Sequence, residues 1–205
     1  MGWYGDRVLP RILDRTLGER ATGALRERLC GGLTGEVVEI GFGSGGNVAH
    51  YPAAVTGVAA VEPSDVAWRL AEHRLRTTTV PVRRSDVDGQ RLSASDGAFD
   101  SALSSWTLCT IPDVATALGE LHRVLRPGGR LHFVEHGLAP DESVRRWQRR
   151  LEPMQKRLAG GCHLTRPILE LVRAAGFTVT SADEFYDRSG PKAFSAFSLG
   201  TAVRA

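Results

Sequence analysis

The chain has 205 residues, a formal net charge of +3 at pH 7, 42% hydrophobic residues and 24% charged residues. These values are typical of a globular α/β protein with a sizeable core, and we predict a single domain over residues 1–205. The lysines and arginines are scattered, which argues against nucleic acid as a partner. The three cysteines are far apart and form no CxxC pair, so they favour a reducing, cytoplasmic location over a disulfide framework. We expect no transmembrane segment, because no run of about 18 apolar residues occurs.

Residues 1–34 are predicted to form helices, because apolar residues recur at helical spacing and charged residues fill the other face. Pro10 is compatible only with a first turn, and Gly31-Gly32 ends a second helix. The charges also argue against a signal peptide. The helices either dock on the domain or form a lid, in which case Trp3 and Tyr4 reach the substrate. A membrane-surface helix is a third alternative.

The sequence EVVEIGFGSGGN at residues 36–47 predicts a buried strand that ends in a glycine-rich turn, with a helix beginning at Asn47. Glycines at this density allow sharp bends and a close approach of a ligand to the backbone. Gly41 begins a G-x-G-x-x-G pattern, which is typical of dinucleotide sites. The acidic residue Glu39 followed by three alternating glycines is also the signature of class I S-adenosylmethionine (SAM) methyltransferases. A carboxylate there suits a ligand with an amino group and repels a diphosphate, and an ordinary tight turn is the remaining alternative.

The next two predicted strands also end in acidic residues. Glu62 lies 21 residues after Gly41, where α/β nucleotide folds place the carboxylate that binds ribose hydroxyls. Pro63 stops this second strand, and a helix over 65–76 follows. The third strand runs from residue 80 into an acidic segment that could accept a hydrogen bond from an adenine amine. Its candidate residues are Asp86, Val87 and Asp88, and the sequence does not choose between the two aspartates.

The fourth predicted strand, residues 99–106, directs Ser105 and Trp106 to the site, because ligands collect outside the carboxyl ends of parallel strands. Asp100 enters from the opposite end and is interpreted as structural. A loop containing Cys109, a helix over 115–126 and a fifth strand over 130–136 follow. His136 is the last residue of that strand.

Residues 140–166 are predicted to be a helical insertion on the substrate side. An apolar stripe that includes Trp147 opposes a basic face, which is either solvated or addressed to an acidic substrate or anionic lipid. Pro153 predicts a kink or two short helices. A loop with Cys162 and His163, a helix ending at Ala175, and strands over 177–180 and 193–203 complete the chain.

The order of these motifs resembles class I SAM-dependent methyltransferases over nearly the whole chain, with RVLRPGGRL as a specific signal. The segments GFGSGGN, TLCTIP, FVEH and GGCHLTR look like the thiol S-methyltransferases and their bacterial relatives. The resemblance implies a three-layer, Rossmann-like α/β fold: a sheet of seven strands, the last antiparallel, with helices on both faces and an N-terminal helical lid. It also implies SAM as the cofactor and a small-molecule acceptor, possibly a thiol. Membrane-associated relatives carry an apolar N-terminal anchor that we do not find here, so we expect peripheral membrane contact at most.

The resemblance assigns site residues individually. The turn holding the methionine moiety of SAM would comprise Glu39, Gly41, Gly43, Ser44, Gly45 and Asn47. Glu62 and Pro63 would meet the ribose, and Asp86 or Asp88 the adenine. Many relatives carry His-His after the fourth strand, where this chain has Cys109-Thr110, so His136 and His163 are the candidate bases.

Candidate substrate contacts are Trp3, Tyr4, Cys109 and Trp147. The motifs contain no metal-ligand cluster, so no metal is expected. A methyltransferase for a lipid amine or a quinone, and a nicotinamide-dependent oxidoreductase, are the alternative functions.

Overall fold

The computed structural model describes residues 4–187 and 190–205, with only the backbone of Asp6. Its centre is a seven-stranded sheet in the order β3-β2-β1-β4-β5-β7-β6. The strands are β1 (Gly35–Ile40), β2 (Val55–Val61), β3 (Val82–Asp86), β4 (Phe99–Ser105), β5 (Leu125–His136), β6 (Phe177–Tyr186) and β7 (Ala196–Arg204). The first five are parallel, and β7 is antiparallel to both β5 and β6. The predicted seven-stranded fold with a final antiparallel strand is confirmed.

The helices are α1 (Leu9–Thr16), α2 (Glu19–Cys30), α3 (Asp65–Leu75), α4 (Val114–Val124), α5 (Glu142–Leu158) and α6 (Ile168–Ala174). Pro10 lies in the first turn of α1, as predicted. Asp113 begins α4 by accepting a hydrogen bond from the Thr116 amide (3.0 Å). Within the described part of the chain, no helix is both long and apolar enough to cross a membrane.

The core lies on both faces of the sheet. On one face, β1, β2, β4 and β5 pack against α4 and α6 around Phe133 and Leu121, both fully buried. On the other face, Leu29 and Cys30 of α2 pack against Val37, Val58 and Leu103. Because β1, β2, β4 and β5 are parallel, their carboxyl ends line up along one edge of the sheet.

The segment after the glycine turn differs from the prediction. Instead of an α-helix beginning at Asn47, the chain forms a three-residue 3-10 turn, Val48–His50. Pro52 explains the difference, because proline disfavours the helical conformation at the preceding residue, and Tyr51 is extended (φ −66°, ψ 123°). An argument from a helix dipole therefore does not apply to this turn.

Helix α5 runs without interruption through Pro153, so two short helices do not form. The residues around the proline are exposed or half-buried. Water can therefore replace the one backbone hydrogen bond that the proline removes. Strand β6 extends to Tyr186, beyond the predicted 177–180, whereas β7 begins at Ala196, three residues later than predicted. The sequence RPGG at the start of β5 is accommodated by a register shift against β4.

Candidate active site

Two of the turn glycines have different spatial reasons for lacking a side chain. Gly41 (φ +67°) is covered by Thr107, whose Oγ1 would lie 1.9 Å from a Cβ added at Gly41. Gly43 also has a positive φ (+60°), but among the described residues an added Cβ would meet only the Gly41 carbonyl oxygen, at 3.8 Å. The backbone at Gly43 is therefore open to a close ligand, whereas Gly41 allows the turn to pack on the loop after β4.

Glu62, at the end of β2, fixes this open turn. Its carboxylate accepts hydrogen bonds from the amides of Gly43 and Ser64, both at 2.7 Å. The side chain is buried, and burial raises its pKa although the two amide bonds oppose that shift. Each carboxylate oxygen keeps a second lone pair, so Glu62 can also accept bonds from ligand hydroxyls. Pro63 follows it directly, as the sequence predicts.

Glu39 lies beneath the turn and is fully buried. One carboxylate oxygen accepts from the side-chain nitrogen of Asn47 (2.9 Å) and the other from the Tyr51 hydroxyl. Asn47 also donates to Ser105 Oγ (3.0 Å), which links the ends of β1 and β4. Burial raises the pKa of Glu39 from an ordinary 4.5 to about 7. Its charge therefore responds near neutral pH to whatever binds above the turn.

Arg26 on α2 is a residue of this site that the sequence reasoning missed. Its guanidinium is buried, donates to the Asn47 side-chain oxygen (2.6 Å) and lies 4.9 Å from the centroid of the Trp106 ring. A Cβ on Gly46 would meet the guanidinium at 2.7 Å. The available signal was the helical position of Arg26, four residues from both Thr22 and Cys30 on the buried face.

The two aspartates at the end of β3, Asp86 and Asp88, have different partners. Asp86 uses both carboxylate oxygens on Ser93, accepting from its amide (3.2 Å) and its hydroxyl (3.1 Å). Asp88 is exposed and uses Oδ1 on Gln90 (2.9 Å from the amide). Val87 between them is 60% exposed. Among the described residues, one carboxylate oxygen of Asp88 therefore makes fewer hydrogen bonds than either carboxylate oxygen of Asp86.

Trp106 marks the end of β4 with an unusual backbone. Its φ of 51° is rare for a residue with a side chain, and its amide donates to the Val134 carbonyl (2.8 Å). The ring meets Phe197 edge to face (6.3 Å between centroids). The indole Nε1 is buried without a partner among the described residues. Such a buried N–H group can donate a hydrogen bond to a ligand.

Ser44 and Gly45 belong to the turn after β1, where the Ser44 carbonyl accepts a hydrogen bond from Arg74 (2.7 Å).

The loop after β4 is fixed by Glu135 and Arg166, to which the sequence reasoning gave no role. Glu135 is fully buried and accepts from the amides of Thr107 and Cys109, both at 3.1 Å, and from the Ser104 hydroxyl (2.7 Å). Arg166 donates to the Ile111 carbonyl (2.8 Å). These bonds hold Cys109 at the edge of the site.

Cys109, His136 and Cys162 meet behind this loop. His136 Nδ1 lies 3.3 Å from Cys162 Sγ, and its Nε2 is buried without a partner among the described residues. The side chains of Cys109 and Cys162 lie close enough to interact, and this interaction, together with the contact to His136, lowers the pKa of Cys162. The same interaction and burial raise the pKa of Cys109. The cluster therefore favours a thiolate on Cys162.

The other predicted residues lie further out. His163 Nδ1 is 3.0 Å from Glu152 Oε1, and its pKa is lowered by burial and nearby arginine charge. Tyr4 donates to the Leu158 carbonyl (3.0 Å), so it reaches α5. Trp147 is 57% exposed on the outer face of α5. Trp3 lies outside the described residues.

Comparison with known proteins gives a consistent class. Residues 38–133 match the family described as "Methyltransferase domain". The chain is 33% identical over 156 residues to the thiol S-methyltransferase TMT1B of Rattus norvegicus, covering 72% of this chain and 62% of that protein. A geranyl diphosphate methyltransferase solved in complex with SAM has a TM-score of 0.71 at 15% identity, over 91% of this chain and 86% of its own. The [4+2]-cyclase SpnF has a TM-score of 0.70 at 21% identity, over 90% and 81%.

Residues 38–133 match the methyltransferase-domain family, and the sheet order is that of the Rossmann-like methyltransferase fold. Within that family, the chain is similar to thiol S-methyltransferases over most of its own length, although it spans only about 62% of the rat relative. The likeness to a cyclase shows that the fold alone does not define the reaction.

Proposed function

We propose that this protein transfers the methyl group of SAM to a small-molecule thiol. The observation that carries the proposal is the open backbone at Gly43, held by the buried Glu62 carboxylate at the end of β2. This arrangement suits a ligand that carries a ribose and no phosphate, because two buried carboxylates, Glu39 and Glu62, would repel a diphosphate. The likeness to TMT1B supports a thiol as the acceptor.

The donor end of the site, as we define it, is the turn of residues 39–47 with Glu62. In our proposal Gly41, Gly43 and Gly45 hold the methionine moiety and Glu62 accepts from the ribose hydroxyls. Asp88, whose carboxylate is less engaged than that of Asp86, would meet the adenine amine. Ser44, Asn47, Pro63, Val87, Ser105 and Trp106 complete the proposed donor contacts.

Arg26 is the buried cation closest to the turn glycines and would pair with the carboxylate of the methionine moiety. A charge-assisted bond of this kind fixes the donor more firmly than a neutral one.

We also propose roles for the two helical segments that flank the site. Residues 1–34 would cover the donor, and residues 140–166 would line the acceptor side within one domain over 1–205.

The acceptor end, as we define it, comprises Cys109, His136 and Cys162. A thiol reacts as its thiolate, so the acceptor needs a group to take its proton. His136 fits this role if Nδ1 carries the hydrogen and donates to Cys162 Sγ, because Nε2 is then a buried acceptor without a protein partner. A thiolate on Cys162 would stabilise the imidazolium that forms. His163 would act less directly, since its ring already pairs with Glu152.

SAM supplies an already activated methyl group, so these residues would act mainly by alignment and by excluding water. Good alignment can account for about 7–11 kcal/mol of a barrier. Cys109 would contact the acceptor, and Tyr4 and Trp147 are proposed to border its entrance. We also propose a cytoplasmic location, which the three free thiols support.

Calorimetric titration with SAM and with NAD, followed by a screen of thiols, phenols and amines for S-adenosylhomocysteine release, tests this function. We expect SAM binding, no NAD binding and turnover with thiols. Binding of NAD alone would contradict the methyltransferase assignment, and turnover only with phenols or amines would contradict the thiol acceptor.

A lipid amine or a quinone is a second candidate acceptor, favoured by the surface of α5. Trp147, Met154 and Leu158 are exposed there at 57%, 47% and 57%, and arginines surround them. Such a surface suits an anionic lipid interface. Sedimentation with vesicles containing an anionic lipid, compared with neutral vesicles, tests it. Binding lost in Trp147→Ser would favour the lipid-borne acceptor, and absence of binding would remove this candidate.

A further inference from the structure

Cys109 and Cys162 come from loops that are 53 positions apart in the chain and meet without any disulfide between them. The peptide that follows Cys162 donates its hydrogen bond, from the His163 amide, to the Cys109 carbonyl (2.9 Å). This bond sets the two loops side by side at the two cysteines. The two side chains are close enough for each to shift the pKa of the other.

The surroundings of the two sulfurs are asymmetric. Cys162 has His136 Nδ1 at 3.3 Å, and its pKa is lowered first by the interaction with the Cys109 side chain and then by that contact. The pKa of Cys109 is raised, and its amide is bound by the buried Glu135. A thiolate beside a neutral thiol is the arrangement needed for one sulfur to attack and the other to resolve.

We propose that Cys109 and Cys162 form a redox-active dithiol that exchanges with low-molecular-weight disulfides, the oxidised form of the acceptor class. This inference rests on the proposed function, because thiols that enter the acceptor end for methylation have disulfides as their oxidised counterparts. The dithiol would reduce an incoming disulfide to two thiols.

The exchange takes two balanced steps. The Cys162 thiolate attacks one sulfur of the disulfide RSSR, which breaks the S–S bond, leaves RS⁻ and forms a mixed disulfide. The Cys109 sulfur then attacks Cys162 Sγ and releases the second RS⁻. The two departing thiolates take one proton from Cys109 and one from water. Two protein thiols are oxidised and one disulfide is reduced to two molecules of RSH.

The protein with a disulfide between Cys109 and Cys162, which we call the linked state, should be a poor catalyst of methyl transfer. It removes the thiolate that faces His136 Nδ1 and ties the loop after β4 to the loop after α5. We expect kcat to fall at least tenfold, and an excess of thiol to restore it. Donor binding should change less than twofold, because none of the donor-end contacts involves either sulfur.

The test is to incubate the full chain with 2-hydroxyethyl disulfide, block free thiols with iodoacetamide and map disulfides by mass spectrometry without reduction. A Cys109–Cys162 peptide, with the tenfold loss of activity and its recovery in dithiothreitol, is the expected result. Cys30 is fully buried elsewhere, so Cys30→Ala should give the same link. Cys109→Ala should stop at a mixed disulfide on Cys162.

A linked peptide that includes Cys30, no link at all, or a linked protein of unchanged kcat would overturn the proposal. The outcome is separable from that of the proposed function. Thiol methylation without the link disproves only the dithiol, whereas the link in a protein that never methylates thiols disproves only the methyltransferase activity on thiols.

Discussion

The donor end lies within one continuous stretch, residues 39–62, whereas the acceptor end combines Cys109, His136 and Cys162 from three separate segments. At the donor end, the geometry is set mainly by hydrogen bonds between backbone amides and carboxylates, such as those from the Gly43 and Ser64 amides to Glu62. At the acceptor end, side chains from distant loops meet, as Cys109, His136 and Cys162 do. Local backbone geometry leaves a pattern in the sequence, and a meeting of distant side chains does not.

The largest effect is expected from adding a side chain at the donor turn, which tests whether backbone geometry defines the donor end. In Gly43→Val we expect the affinity for SAM to fall at least about 100-fold, or roughly 2.7 kcal/mol. The new side chain would occupy the open space in front of the turn and would strain the backbone at φ +60°. Calorimetric titration with SAM measures the loss.

Gly128→Val provides the matched control. Gly128 also has a positive φ (+79°) and no atoms within 4 Å of an added Cβ, but it lies in the bulge at the start of β5. The backbone penalty is similar, so thermal unfolding should shift similarly in both variants. Equal losses of SAM affinity in both variants would show that Gly43 does not meet the donor.

The sequence predicted the strand ends and the glycine turn of the proposed donor end, because their restraints are local. Glycines at positive φ, an acid at each strand end and proline after Glu62 can be read along the chain. The prediction erred on the helix after the turn, because the effect of Pro52 on Tyr51 was not weighed. Asp100 was interpreted as structural, and its carboxylate indeed accepts from the Glu36 amide (2.9 Å) at the opposite end of the sheet.

The sequence could not predict which residues meet at the acceptor end. Cys109, His136 and His163 were candidates and Cys162 was not, because the contact between Cys162 and His136 depends on how the loop after α5 returns to the sheet. Glu135, Glu152 and Arg166 fix that return through backbone bonds. Arg26 was missed for a similar reason, since its importance arises from Asn47 and Trp106, which come from elsewhere in the chain.

The acceptor end can be tested at His136 with a near-isosteric change. His136→Asn places an amide nitrogen where Nδ1 was, facing Cys162, and removes Nε2. If Nε2 takes the acceptor proton, kcat for a thiol should fall about 100-fold. The loss should be smallest at high pH, where the free thiol ionises without help. The measurement is kcat as a function of pH for one thiol.

His132 supplies the control on the same strand. It too is buried with an unpartnered Nε2 among the described residues, and its Nδ1 lies 3.1 Å from the Leu29 carbonyl, away from the site. His132→Asn should alter stability but leave the shape of the pH profile intact. A His136→Asn profile that matches it would rule out the base role.

Arg26→Met removes the one charge at the donor end that we assign to a side chain outside residues 39–62, and so tests the contrast between the two ends. We expect SAM affinity to fall about 30-fold, because a charge-assisted hydrogen bond contributes about 1.5–3 kcal/mol. KM for the acceptor should hardly change. Arg28→Met, on the same helix but exposed and paired with Asp183, should leave SAM affinity unchanged. Equal affinities of the two variants for SAM would contradict the proposed role of Arg26.

The smallest effect concerns the charge of Glu39. Its pKa in the folded protein, about 7, lies above the ordinary 4.5 because of burial. The stability that Glu39 contributes is therefore complete below about pH 4.5 and is lost as pH rises through 7. A cationic donor bound above the turn should favour the carboxylate and lower this pKa, so binding should release a proton.

We therefore expect SAM affinity to rise up to about tenfold between pH 6 and pH 8, since one group with a pKa near 7 is about 90% protonated at the lower pH. Calorimetry in buffers of different ionisation enthalpy counts the released protons directly. Glu39→Gln should abolish this release, whereas Glu62, which keeps its own raised pKa, remains in both proteins. Proton release of the same size in Glu39→Gln would assign the linkage to Glu62 instead and leave Glu39 as a purely structural acceptor for Asn47 and Tyr51.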